Sequence, residues 1–204
     1  MNIFDKAKTK FQESEKLVQK LIEEYAVFNL KEKELLLKNK TVTLLCQQAE
    51  LKVDKLTSLV PDSEEGLIAN IEHNKIQIKI HFTPEKITLK DNCIEGQLHL
   101  LTPPQFETDS LVYRSLIAGW KIFLGGQIPN QALPEAVRVE GNKIYYTLPR
   151  NQLQLLDAFF HNLQTNSCLT TSLKQGELII NSSGTLSWNN FNLQSLYQAL
   201  NLKR

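Results

Sequence analysis

Two histidines, His81 and His99, together with Glu95 and Cys93, form the set of residues in this chain whose types could do chemistry jointly. Imidazole, carboxylate and thiolate ligate transition metals, and an imidazole beside a carboxylate can relay a proton. In the strand pattern of 67–101, all four fall on the polar face of one sheet. Their spacing matches no metal-ligand signature, so exposed polar-face histidines are the plainer reading, and neither metal nor cofactor is expected. An enzyme with an unrecognised site near His81, His99 and Glu95 is carried as the alternative function. Asp157 and His161 stand four apart in a helical pattern, and with no third orienting group they read as a helix-surface pair.

The motifs that mark familiar chemistry are absent from the sequence. It holds no G-x-x-x-x-G-K-[ST] phosphate loop, no G-x-G-x-x-G, no H-E-x-x-H, no G-x-S-x-G elbow and no EF-hand loop. Cys46, Cys93 and Cys168 are odd in number and never paired as C-x-x-C, which suggests neither a disulfide framework nor a zinc knuckle. No export signal is visible in "MNIFDKAKTKFQESEK". A cytoplasmic protein is the expectation, and the glycosylation patterns at Asn39-Lys40-Thr41 and Asn181-Ser182-Ser183 are then read as turn residues.

Charge narrows the partners. Twenty-three basic and 22 acidic side chains leave a formal net charge of +1, so no global field draws the chain to nucleic acid or anionic membrane. Lys75, Gln77, Lys79, His81, Lys86, Thr88 and Lys90 give one sheet face cations. That face lacks the aromatics on which bases stack, apart from Tyr145 in another hairpin, so the nucleic-acid signal is weak. The stronger feature is apolar. "SLVYRSLIAGWKIFLGG", residues 110–126, reads as a helix whose only charges are Arg114 and Lys121. It falls short of the roughly 20 residues that cross a bilayer. Tyr113, Trp120 and Phe123 on this helix, with Phe159 and Phe160 on the next, offer more apolar surface than one sheet face consumes.

The elements that must position these residues follow from periodicity. Phe4, Ala7, Phe11, Leu17, Val18, Leu21, Ile22 and Tyr25 share one side of an amphipathic helix over 1–28. The segment 31–60 admits two readings: Val42, Leu44 and Cys46 alternate as in a strand, whereas Leu45, Ala49, Val53, Leu56 and Val60 make a helical stripe. Thr41-Val42-Thr43 favours strand for 41–46, and the rest stays open. From Leu67 the pattern sharpens into hairpins over 35–101 and 136–148. A His73-Asn74 turn pairs Ile71 with Ile76, Ala69 with Ile78 and Leu67 with Ile80. Asp91-Asn92 pairs Leu89 with Ile94 and Ile87 with Gly96, and Gly141-Asn142 pairs Val139 with Ile144 and Val137 with Tyr146. Asparagine at the second turn position suits a type I′ turn. Lys38-Asn39 reads as a fourth turn and 177–188 as a fifth hairpin, while 150–164 and 191–202 read as helices.

The fold expected is therefore a single α+β domain over residues 1–204. A curved, mainly antiparallel sheet of tight hairpins has its apolar face covered by the N-terminal helix and three further amphipathic helices. Helix 110–124 is expected to press into the concave side, with Gly119 inward and Arg114 and Lys121 reaching solvent. The function expected is non-enzymatic binding of an apolar small molecule or lipid, or of a protein partner, a second copy included, through Tyr113, Arg114, Trp120, Lys121, Phe123 and Phe159. Membrane contact is at most peripheral.

Overall fold

Alternation of isoleucines builds the spine of the molecule. In the computed structural model, which describes residues 23–29, 32, 34–123, 128–129, 133–150 and 166–182, the longest strand is β5 (Ile76–Leu89). The remaining strands are β1 (Ala26–Asn29), β2 (Glu34–Leu37), β3 (Leu56–Pro61), β4 (Leu67–His73), β6 (Cys93–Leu100), β7 (Gln105–Glu107), β8 (Val137–Glu140), β9 (Lys143–Pro149), β10 (Cys168–Lys174) and β11 (Glu177–Ser182). Helices α1 (Asn39–Lys52) and α2 (Leu111–Phe123) complete the described elements. All strands join one antiparallel sheet in the order β1-β2-β11-β10-β5-β6-β9-β8, with β3 and β4 stacked beside the first half of β5 and β7 on its other edge.

The sheet is organised by a bulge in β5. Before it, Ile76, Ile78, Ile80 and Phe82 point inward; after it, Ile87 and Leu89 do, so the parity of the buried positions changes from even to odd. The pairing with β6 shifts between Pro84 and Lys86, which leaves Glu85 as the extra residue. Proline has no N–H to give to a ladder, and a bulge is where a strand tolerates it. The first half of β5 lies between β4 and β7, and the second between β10 and β6. One face thus carries two adjoining apolar clusters. The first gathers Leu35, Leu37, Leu89, Ile94, Leu169 and Leu173 under α1, and the second gathers Ile76, Ile78, Ile80, Phe82, Val139 and Ile144 near Ile117 of α2.

The expected arrangement of helices is corrected. Strand makes up 53% and helix 20% of the described residues, with two helices among them rather than four. Residues 26–28, placed at the end of the N-terminal helix, belong to strand β1; residues 1–22 lie outside the described residues, as do 151–165 and 191–202, where two further helices were expected. The strand expected over 41–46 is instead the middle of α1. Tertiary burial overrides the β-preference of Thr41-Val42-Thr43: Thr41, Val42 and Cys46 share the buried side, and the Thr41 hydroxyl donates to the Tyr25 carbonyl at 2.7 Å. Lys38, expected in a turn with Asn39, is the extended N-cap of that helix.

Two of the three hairpin registers match the sequence reading, Leu89 with Ile94 and Val139 with Ile144 among them. The first is displaced. Its turn is Asn74-Lys75, both at positive φ (48° and 66°), so Ile71 faces Ile78 and Ala69 faces Ile80. The displacement changes each partner by two residues, and the apolar face survives because strands repeat every two. Asn92 and Asn142 lack positive φ, so the type I′ account of asparagine fails there. Residues 177–182 pair back to β10 through Gln175 and Gly176, at φ 52° and 75°, and across to β2; residues 183–188 lie outside the described residues.

A tight loop locks the two halves of the sheet together. Asp62 N–H donates to the Gly66 carbonyl (2.9 Å), while Glu64 and Glu65 N–H groups donate to Asp62 Oδ1 at 2.9 and 3.3 Å. Gly66 N–H reaches the Leu173 carbonyl (3.1 Å), tying the loop to β10. The two amides hold the Asp62 carboxyl below its ordinary value. A depressed acid stabilises the fold above its unfolded pKa, and that contribution fades as pH falls through the folded value. Asp62→Asn keeps the acceptor oxygen but cannot titrate, so urea midpoints taken at neutral and strongly acid pH should fall less in the variant than in the parent protein. Equal falls would contradict the assignment.

Candidate functional site

Helix α2 exposes most of its described side chains. It carries two inward residues, Ile117, buried to 7% exposure, and Tyr113, half-buried, both packed against the second core cluster. They stand four apart, one turn along the same side. On the other side Leu111, Val112 and Leu116 are 76%, 77% and 44% exposed, and Ser115 and Ala118 are exposed with them. Gly119, expected inward, has nothing within 4 Å of where a Cβ would stand. Among the described side chains, Ile117 and Tyr113 fasten the helix to the sheet, while Leu111, Val112, Ser115, Leu116 and Ala118 stand exposed. Its sequence has no acidic residue.

The entry to α2 is fixed by Thr108. Its hydroxyl donates to the Lys75 carbonyl at 2.7 Å, at the turn between β4 and β5, and accepts from Ser110 N–H at 3.3 Å. Arg114 Nε then donates to the Thr108 carbonyl at 3.3 Å, and Arg114 N–H to the Ser110 carbonyl at 3.0 Å. Between β7 and α2 this leaves an open cleft of about 360 Å³ lined by Phe106, Glu107, Thr108, Asp109, Arg114, Ile117 and Lys121. Ile117 forms an apolar part of the lining, and four exposed charges stand around it, two of each sign.

Of the residues singled out from the sequence, the structure brings Arg114 and Lys121 together on the exposed wall of one cleft, with Tyr113 on the anchoring side of the same helix. Trp120 and Phe123 belong to α2 by backbone, and Phe159 lies outside the described residues, as do Phe160, Asp157 and His161. Glu107 and Asp109 were missed. Their signal was in the sequence, because two acids immediately before a helix that has none must lie at its mouth.

His81, His99 and Glu95 each meet partners outside the set. His81 Nε2 donates to the Glu65 carbonyl (2.8 Å), and His99 Nδ1 lies 3.5 Å from the Asn142 amide nitrogen. Glu95 lies four residues from His99 along β6, about 13 Å in an extended strand, and its carboxylate meets Lys90 at 3.8 Å. No group of three or more metal-ligating side chains occurs among the described residues. Cys46 faces the core, where burial pushes its thiol up to about 12 and removes it as a nucleophile at neutral pH. On the outer face, Tyr145 is covered by Arg138, 5.0 Å from the ring centroid.

No described helix is long and apolar enough to cross a membrane. Comparison with protein-family models, with curated proteins and with solved structures found no match.

Proposed function

We propose that the protein docks on a lipid surface through the exposed side of α2. The observation that carries this reading is the unpaired apolar face formed by Leu111, Val112 and Leu116, on a helix whose only charges are cationic. Such a helix lies in the plane of a bilayer interface, with its apolar side among the acyl chains and its cations level with the headgroups. Its length, about 20 Å, suits lying on a membrane and falls short of spanning one.

Area favours lipid over a protein partner. One face of a helix this long offers about 200 Å², against the roughly 800 Å² per partner of a stable protein interface. A bilayer sets no such minimum, since each side chain inserts on its own. Burying three partly exposed aliphatic side chains contributes about 4 kcal/mol, which corresponds to binding near the millimolar range. The interaction is therefore reversible.

Co-sedimentation with sucrose-loaded phosphatidylcholine vesicles tests it. The bound fraction should climb as lipid rises through the millimolar range, with the protein monomeric by light scattering. Protein that stays in the supernatant at every lipid concentration, or that forms a stable dimer masking α2, would overturn the reading.

A further inference from the structure

The geometry points to a second function for the cleft beside α2: it receives the zwitterionic headgroup of a phospholipid, a phosphate ester carrying an amine. This inference deepens the lipid-docking reading and rests on it. Glu107, Asp109, Arg114 and Lys121 all line the one cleft, yet no ion pair joins any of the four to another. Elsewhere on the surface opposite charges do meet, as in Lys40–Glu24 at 3.3 Å and Lys143–Glu85 at 3.6 Å. In the cleft the acids precede the helix and the cations stand on it, so the two signs occupy different elements.

A ligand with one charge of each sign can bridge them. Its phosphate meets the Arg114 guanidinium, whose Nε is already engaged with the Thr108 carbonyl and whose plane is thereby oriented, and the Lys121 ammonium. Its amine meets Glu107 and Asp109. Phe106 and Ile117 form the apolar floor of the cleft. A headgroup carrying only negative charge would satisfy Arg114 and Lys121 but leave the two carboxylates facing it. The cleft volume of about 360 Å³ accommodates a small polar group.

The charge pattern also complements the weakness of the apolar anchor. Three inserted side chains alone give marginal, reversible attachment, and stable anchoring takes a second contribution. The headgroup supplies it, and makes attachment selective for lipid type.

The test has two arms. In solution, amide shifts of the isotope-labelled protein are followed during titration with phosphoethanolamine, with phosphocholine, and with inorganic phosphate and ethanolamine separately. The zwitterions should move residues 106–109 and 114–121 and bind about tenfold more tightly than either half alone. Glu107→Gln with Asp109→Asn should abolish that preference while leaving phosphate binding, and Arg114→Gln with Lys121→Gln should remove both; all four side chains are exposed, so the fold should persist. On vesicles, phosphatidylethanolamine or phosphatidylcholine should retain more protein than phosphatidylglycerol, and Glu107→Gln with Asp109→Asn should reverse the order. Phosphate binding as tightly as phosphoethanolamine would overturn the proposal, as would an absence of shifts in the cleft at tens of millimolar ligand. A vesicle preference unaltered by the acid substitutions would assign the zwitterion site to a free metabolite and overturn the lipid source. Failure of docking itself is distinguishable: vesicles would then bind no protein while the solution titration still succeeded.

Discussion

Gly66→Ala should cost about 3–5 kcal/mol and lower the melting temperature by about 10 °C or more. Two physical terms add at this position. Gly66 sits at φ +84°, where a residue with a Cβ is strained by roughly 1–3 kcal/mol. A Cβ there would also collide with the Phe82 carbonyl oxygen and press on the Leu101 side chain. Phe82 cannot retreat, because at that residue β5 passes from pairing with β4 to pairing with β6. Gly96 makes the contrast. A Cβ on Gly96 meets the Tyr146 ring, its cross-strand partner, and a ring can swing aside where a backbone carbonyl cannot. Gly96→Ala should therefore cost only about 1–2 kcal/mol. Thermal denaturation followed by circular dichroism separates the two, and similar losses for both would contradict the role given to the Gly66 loop.

Replacing Leu111, Val112 and Leu116 together by Ser should weaken vesicle binding about a hundredfold or more and leave stability within about 0.5 kcal/mol. The separation follows from exposure. These side chains are 76%, 77% and 44% exposed in the free protein, so folding gains little from them, whereas a bilayer would bury them. Ile117→Ala should do the reverse: it removes the buried side chain that fastens α2 to the second cluster and costs about 2–4 kcal/mol of stability. Partition isotherms with phosphatidylcholine vesicles, taken beside denaturant titrations, check both. A triple variant that partitions like the parent would remove α2 as the docking element.

What the sequence revealed depended on how local the governing physics was. Asp91-Asn92 and Gly141-Asn142 each join adjacent strands whose apolar residues must share one side, so period-two alternation was enough to place Leu89 opposite Ile94 and Val139 opposite Ile144. At His73-Asn74-Lys75 the same rule left two registers of equal parity, and backbone conformation at Asn74 and Lys75 chose between them. The bulge at Glu85 was visible as the change from even to odd apolar positions around Pro84, a parity break that went unread. Helix α1 was legible only in part. Its Leu45-Ala49-Val53 stripe competed with the β-branched Thr41-Val42-Thr43, and what decided was the fit of Thr41, Val42 and Cys46 against strands far away in sequence. The pairing of β5 with β10 joins residues about 80 positions apart, beyond the reach of any local pattern.

The candidate site divides the same way. Arg114 and Lys121 stood out as the only charges on an apolar helix, and the structure places both on one exposed wall. Their opposites, Glu107 at the end of a three-residue strand and Asp109 in the turn before the helix, were legible as acids next to α2 but not as the lining of a cleft. Its composition suggested burial on nearly every side; among the described side chains of α2, Ile117 and Tyr113 meet the sheet and Leu111, Val112 and Leu116 stand exposed. An excess of apolar residues in a helix states that something must cover it without stating what.

Amide hydrogen exchange with and without phosphatidylcholine vesicles bears most directly on whether α2 meets lipid. Amides of residues 111–118 should slow on adding vesicles, because burial of the helix in the interface closes its backbone to water, while those of β10 and β11 exchange as before. Unchanged exchange in α2 with vesicle-bound protein, or slowing confined to another element, would contradict the account.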